Sequence, residues 1–273
     1  MPNDIYNKSN APGSIIYLPH GGGPWPLLGD DRHTDLIHFL EAIVATLIKP
    51  SAILIISGHW EEEQVTVTGG ATPPLLYDYY GFPEETYTIT YPAPGNVPLA
   101  EKIVKKLQKQ NIAATTDDSR GFDHGVFVPL KIMYPEASIP CVQLSLINTL
   151  RPEEHIAIGR ALADLREENL LIIGSGSSFH NLRAFHEPQT EQSQADNNAF
   201  EKWLAETMSS KQLSEEKRAQ RLENWLAAPA ARYCHPREEH LLPLHVCYGI
   251  ASAPATRIVE VSFLGKKTSA CIW

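Results

Sequence analysis

Eleven histidines occur in the 273-residue chain, and three of them follow apolar runs that end in small residues. His20 follows SIIYLP (14–19) and opens the stretch HGGGP, His59 closes ILIISGHW, and His180 closes LLIIGSGSSFHN. Imidazole ligates transition metals and transfers protons near neutral pH, so a cluster of histidines suits metal or acid–base chemistry. A His-Gly-Gly-Gly segment also serves as an oxyanion hole in α/β-hydrolases, but there it needs a Gly-x-Ser-x-Gly elbow as its partner. No serine of this chain has glycine at both −2 and +2. The GSGSSFHN stretch also misses Gly-x-Gly-x-x-Gly, since its sixth position is Phe179, and no Gly-Lys-Ser/Thr phosphate loop occurs. Serine hydrolase, dinucleotide-binding and P-loop chemistry are therefore disfavoured. One histidine alone behind a strand is more often a core residue bonded to backbone; three such placements together favour a shared site.

The elements that would hold these histidines are legible as short apolar runs alternating with helical spacing. SIIYLP, SAILIIS (51–57), SIPCVQLSL (138–146) and NLLIIGS (169–175) predict buried strands, and ATRIVEVSFL (255–264) predicts another near the end. Residues 33–48, 97–111 and 151–169 repeat apolar positions every three or four residues and predict helices, as do charged stretches between 189 and 232. Such alternation predicts an α/β layered sandwich with a mainly parallel sheet. Ligands of such sheets bind outside the carboxyl ends of the strands, which is where His20, His59 and His180 fall. The Thr/Gly/Pro-rich stretch 65–95 contains TYTITYP, whose alternation predicts a local strand pair folded over the sheet end.

His124, in SRGFDHGVFVPL, sits in a Gly-bounded loop entering a helix, with Asp123 beside it. His235, His240 and His245 share CHPREEHLLPLH, but five-residue steps on a helix turn side chains about 140° apart, so they cannot all face one metal. His33, His38, His155 and His186 lie in polar contexts and are expected at the surface. Four scattered cysteines, Cys141, Cys234, Cys247 and Cys271, lack metal spacing and are expected as buried free thiols. A net charge of −9 without basic clusters argues against nucleic acid, and no run approaches the roughly 20 apolar residues of a membrane span. A cytoplasmic protein of one domain over 1–273 is expected, with residues 1–13 as a flexible polar tail.

With these residues placed, the sequence resembles the class III extradiol ring-cleaving dioxygenases, in their 4,5-DOPA dioxygenase branch. The resemblance runs through YLPHGGGP, SGHWE, LLYDYYGFPEETYTITYPAPG, GFDHGVFVPL, GSGSSFHNLR and HPREEHLLPL, six short pieces in the family's order. It implies a single-domain α/β/α sandwich around a mixed, mainly parallel sheet. It also implies a metal held by His20, His59 and His240, with His180 as acid and base, able also to reach the metal. His124 is implied to bind substrate or to stabilise developing oxygen charge. The implied metal is Fe(II) in the working enzyme, with Zn(II) a natural occupant of the same donors in purified protein. The implied partners are a small catechol and O2, which react to a ring-opened semialdehyde, and a homo-oligomer is compatible with the chain. Tyr77, Tyr79, Tyr80 and Phe82 are expected to wall the ring, and Arg183 to orient His180 or meet a substrate carboxylate. The wider class uses two histidines and a carboxylate, which leaves Glu238 and Glu239 as alternative ligands. The first motif departs from His-Gly-Ser-Pro, and the ending GKKTSACIW is also unlike the family's. Two rivals predict other behaviour: a zinc hydrolase of a small amide or ester, active without O2, and a non-catalytic binding protein with an incomplete histidine set.

Overall fold

The computed structural model describes residues 13–273, so the tail expected over 1–13 lies, except for Gly13, outside the described residues. Its strands are Ser14–Pro19 (β1), Ala52–Glu62 (β2), Val65–Thr68 (β3), Ala114–Asp117 (β4), Cys141–Ile147 (β5), Leu170–Gly176 (β6), Arg257–Phe263 (β7) and Lys266–Ile272 (β8). They form one sheet in the order β4-β3-β5-β2-β6-β1-β8-β7. The pairs β1–β6, β2–β5, β2–β6 and β3–β4 are parallel, and β1–β8, β3–β5 and β7–β8 antiparallel. The helices are Thr34–Val44 (α1), Val97–Lys109 (α2), His124–Met133 (α3), Pro152–Ala161 (α4), Leu182–His186 (α5), Glu191–Ser209 (α6), Glu215–Glu223 (α7), Ala231–Cys234 (α8) and Leu242–Ala251 (α9).

The central strands are apolar without interruption because both of their faces are covered. Side chains alternate between the faces. Ile16, Leu18, Ile53, Ile55, Leu171 and Ile173 pack with Leu36, Leu40 and Ile43 of α1 and Val126, Phe127 and Leu130 of α3. Ile15, Leu54, Ile56, Leu170 and Ile172 pack with Leu99, Ile103 and Leu107 of α2, Ile158 of α4, and Val246 and Ile250 of α9. This is the three-layer α/β/α arrangement with a mixed sheet. Among the described residues, no helix is long and apolar enough to cross a membrane.

Helices α4 and α9 cross where both have glycine. A Cβ built on Gly159 would lie 2.7 Å from the Gly249 Cα and 2.8 Å from the Ile250 nitrogen, so the two backbones touch where any side chain would hold them apart. Because α9 begins two residues after His240, the crossing fixes the depth of that segment under the sheet end. Gly159→Ala is expected to destabilise the fold by about 1–3 kcal/mol through overpacking, read as a lower urea midpoint at unchanged slope.

Two expectations are corrected. TYTITYP forms no strand pair: Glu84–Thr88 is a short 3-10 helix, and the segment's carbonyls are taken by side chains. Tyr77 Oη donates to Ile89 O at 2.6 Å, Tyr79 Oη to Thr86 O at 2.7 Å, and Lys131 Nζ to Thr90 O at 2.9 Å. His33 and His155 are fully buried rather than at the surface. His33 Nε2 accepts from the Gly22 N–H at 3.1 Å, and His155 Nε2 accepts from the Ile147 N–H at 3.2 Å, so each closes off a loop backbone. The C-terminal GKKTSACIW contains β8, which pairs with both β1 and β7. His38 and His186 are exposed, and the four cysteines are buried and free, as expected.

Candidate metal centre

Strands β1, β6 and β2 lie side by side, with Pro19 in register with Gly176 and Ser57 with Ser175. The residues that follow therefore leave the sheet at one edge. His20 comes immediately after β1, where Gly21 at φ 89° and Gly23 at φ 59° turn the chain away through conformations that side chains disfavour. His59 lies within β2 where its register with β5 shifts between Ile56 and Glu61, an irregularity that re-aims the side chain. His240 arrives from the far end of the chain. Its carbonyl accepts from Tyr17 Oη at 2.9 Å and from the Ser177 N–H at 3.0 Å, fastening it across the ends of β1 and β6.

The three rings converge through their Nε2 atoms. His59 Nε2 is 3.0 Å from His20 Nε2 and 3.1 Å from His240 Nε2. Their outer nitrogens show where the protons are. Ser175 Oγ donates to Gly125 O at 2.5 Å, so toward His20 Nδ1, at 2.9 Å, it must accept, which puts the proton on Nδ1. His240 Nδ1 faces the Glu239 carboxylate at 3.0 Å and is likewise a donor. His20 and His240 thus both present bare Nε2 lone pairs to His59, whose one ring proton cannot satisfy both. Burial pushes all three imidazoles well below their ordinary range, which keeps them in the neutral, ligating form. Converging lone pairs at this spacing, with His20 and His240 each backed by an outer acceptor, suit a shared cation. The donor set thus fits a transition metal.

Two further histidines border this triad. His180 stacks on His240 with ring centroids 3.3 Å apart and planes 13° apart, and its Nδ1 shares Glu239 Oε1 at 3.0 Å. Glu239 therefore stands behind the outer nitrogens of two histidines. Burial alone would raise its carboxyl, but the His180 contact, together with a backbone hydrogen bond and Arg237, holds it below the usual range. His124, the first residue of α3, has its ring 3.9 Å from that of His59 and 5.4 Å from that of His20. Its Nδ1 lies 2.7 Å from Asp78 Oδ1. The His20, His59 and His124 ligand atoms fall within 4.8 Å of one another, as do those of His180, Glu239 and His240. Asp123 lies underneath, fully buried, where it accepts from Ser57 Oγ at 2.8 Å. Ser57 Oγ in turn accepts from the His59 N–H at 3.2 Å, so Asp123 supports the backbone at His59.

An aromatic wall closes one side. The Tyr79 ring lies 5.8 Å from His124 and 5.2 Å from Phe82, and Phe82 lies 5.3 Å from Trp25. The Phe82 ring fits against Gly23, where a built Cβ would come within 2.8 Å of it. The structure brings His20, His59, His124, His180, His240 and Phe82 together. It does not bring Tyr80, which is 91% exposed, or Arg183, whose side chain is 88% exposed and pairs with Glu187 one turn along at 2.6 Å. Nor does it use His235 or His245 here: His235 Nε2 donates to Ser178 O at 2.7 Å, and His245 bonds Leu241 O and Leu222 O. Glu238 turns outward to Arg232 at 2.6 Å. Asp78 and Trp25 had no spacing signal, although Asp78 lies inside the quoted LLYDYYGFP piece and Trp25 directly follows HGGGP.

Comparison with known proteins gives the family. Residues 15–271 match the family model described as the catalytic LigB subunit of aromatic ring-opening dioxygenase. The chain is 39% identical over 257 residues to dioxygenase tasH of Hapsidospora irregularis, covering 87% of this chain and 78% of that protein. It is 37% identical over 239 residues to 4,5-DOPA dioxygenase extradiol of Beta vulgaris, covering 86% of each. A crystal structure of an uncharacterized protein, JW3007, from Escherichia coli K12 superposes with a TM-score of 0.75 at 29% identity, covering 95% of this chain and 99% of that one.

Proposed function

The chain belongs to the LigB family of aromatic ring-opening dioxygenases, and on that premise we propose that it is an extradiol dioxygenase, using Fe(II) to open a DOPA-like catechol with O2. The observation that carries this reading is the convergence of His20, His59 and His240 on one point, with two more histidines at its border. Three neutral donors leave coordination positions free, and the ion they would hold supplies acidity to the hydroxyls it touches and a place for O2 beside the ring. The same donors accept Zn(II), a natural occupant of isolated protein.

The protein's own part is binding, orientation and proton handling. His180 has its Nδ1 on Glu239, so its Nε2 is the free atom and takes a proton from a catechol hydroxyl. It then returns that proton during ring opening, when both oxygen atoms enter the semialdehyde product. His124 has its Nδ1 on Asp78, which leaves its Nε2 to accept a proton and, once charged, to donate a hydrogen bond to developing oxygen charge. Tyr79, Phe82 and Trp25 offer flat apolar faces to a planar ring and exclude water from it. Buried free thiols suit a reducing compartment, in keeping with a cytoplasmic enzyme.

The test is anaerobic reconstitution with Fe(II), followed by L-DOPA, caffeate, protocatechuate or catechol, with O2 then admitted. Oxygen uptake with a yellow ring-opened product is expected for at least one of them. Hydrolytic turnover under Zn(II), with no uptake for any catechol, would overturn the proposal.

A further inference from the structure

Asp78 is not among the residues that approach the metal position, yet it bonds one histidine at its border, His124, from behind. It sits in the loop that carries Tyr79 and Phe82, with its side chain 17% exposed. Its Oδ1 accepts from the backbone N–H of His124 at 3.0 Å and lies 2.7 Å from His124 Nδ1. Its Oδ2 lies 3.6 Å from His59 Nδ1. A carboxylate at this place also faces the N-terminus of α3, where the helix dipole favours negative charge.

A carboxylate offers only acceptors. Any neutral imidazole turning Nδ1 toward it must carry its proton there, and its Nε2 is then bare. We infer that Asp78 is a positioning residue that fixes the tautomer of His124 and ties the aromatic loop to the metal centre. His124 Nε2 is thereby left bare as a proton acceptor. Asp78→Ala removes the acceptor that holds the His124 proton on Nδ1, and with it the tie between the loop of Tyr79 and Phe82 and the start of α3.

The inference rests on the metal-centre reading, and its test separates the two. Histidine 15N chemical shifts of the metal-free protein, recorded at about pH 8 where imidazoles are neutral, distinguish Nδ1–H from Nε2–H rings. The His124 signals are assigned by their loss in His124→Ala. That ring is expected to be Nδ1–H in the natural sequence and to shift to Nε2–H in Asp78→Ala, with the far-UV circular dichroism unchanged. Nε2–H at His124 in the natural sequence overturns the inference without recourse to any variant, as does an unchanged His124 tautomer in Asp78→Ala. Failure of the natural protein to bind Zn(II) overturns the metal-centre reading instead, while the tautomer measurement still decides the role of Asp78.

Discussion

Replacing His180 by Ala is expected to lower turnover by about 10²–10⁴-fold with the metal retained, the range over which a positioned general acid–base contributes. Replacing His59 by Ala is expected to remove the metal itself. The contrast follows from where each Nε2 points. His59 Nε2 is the shared neighbour of His20 Nε2 and His240 Nε2, at 3.0 and 3.1 Å, so it stands at the middle of the donor set. A four-ligand zinc site binds with about 10–16 kcal/mol, so one ligand's share is about 3 kcal/mol, or over 100-fold in affinity. His180 instead lies flat on His240 and is held from behind by Glu239, an arrangement that orients a base without using a ligand position. Metal content by mass spectrometry and kcat on the same preparations decide the matter. Loss of metal in His180→Ala would make it a ligand, and full metal retention in His59→Ala would refute the ligand assignment.

The strands that lead to His20, His59 and His180 are legible because a sheet buried on both faces leaves uninterrupted apolar runs, and its carboxyl edge is fixed by topology. The helices at 34–44, 97–109 and 152–161 are legible for the same reason, as apolar stripes facing those strands. His33 and His155 were misplaced because their short sequence contexts are polar. Each is held inside by bonds on both ring nitrogens, to the Gly22 N–H and Asp30 for His33 and to the Ile147 N–H and Arg151 O for His155, which no periodicity records. TYTITYP alternates like a strand, but tyrosine hydroxyls and a lysine take the carbonyls that a partner strand would have used. Arg183 was drawn to the site by its nearness to His180 in sequence, yet the short α5 helix turns it outward to Glu187. Asp78 was missed because it acts from a loop some fifty residues before His124, and the pairing exists only once the loop has folded over the sheet end.

One buried group connects this architecture to pH. Glu201 of α6 is 7% exposed and accepts from Ser178 Oγ at 2.7 Å and Ser269 Oγ at 2.6 Å. Burial pushes its carboxyl up to about 7, against the pull of those two hydroxyls. In the unfolded chain the group releases its proton near pH 4.5. Between those values the folded protein holds a proton that the unfolded chain has lost, so stability falls as pH rises. The contribution is fully present below about 4.5 and lost above about 7, with a span of about 3 kcal/mol at 1.36 kcal/mol per pH unit. Glu201→Gln matches the protonated carboxyl in shape and cannot ionise. Its stability relative to the natural sequence is therefore expected to be near neutral at pH 4 and to rise by up to about 3 kcal/mol at pH 8, measured by urea denaturation at both. Parallel pH profiles for the two proteins would show that Glu201 does not titrate in this range. Ser178 also accepts from His235 through its carbonyl and stands two residues before His180, so Glu201 packs on the turn that carries the candidate base. The amide variant keeps a partner for each serine hydroxyl, so turnover is expected to be preserved as stability at high pH increases.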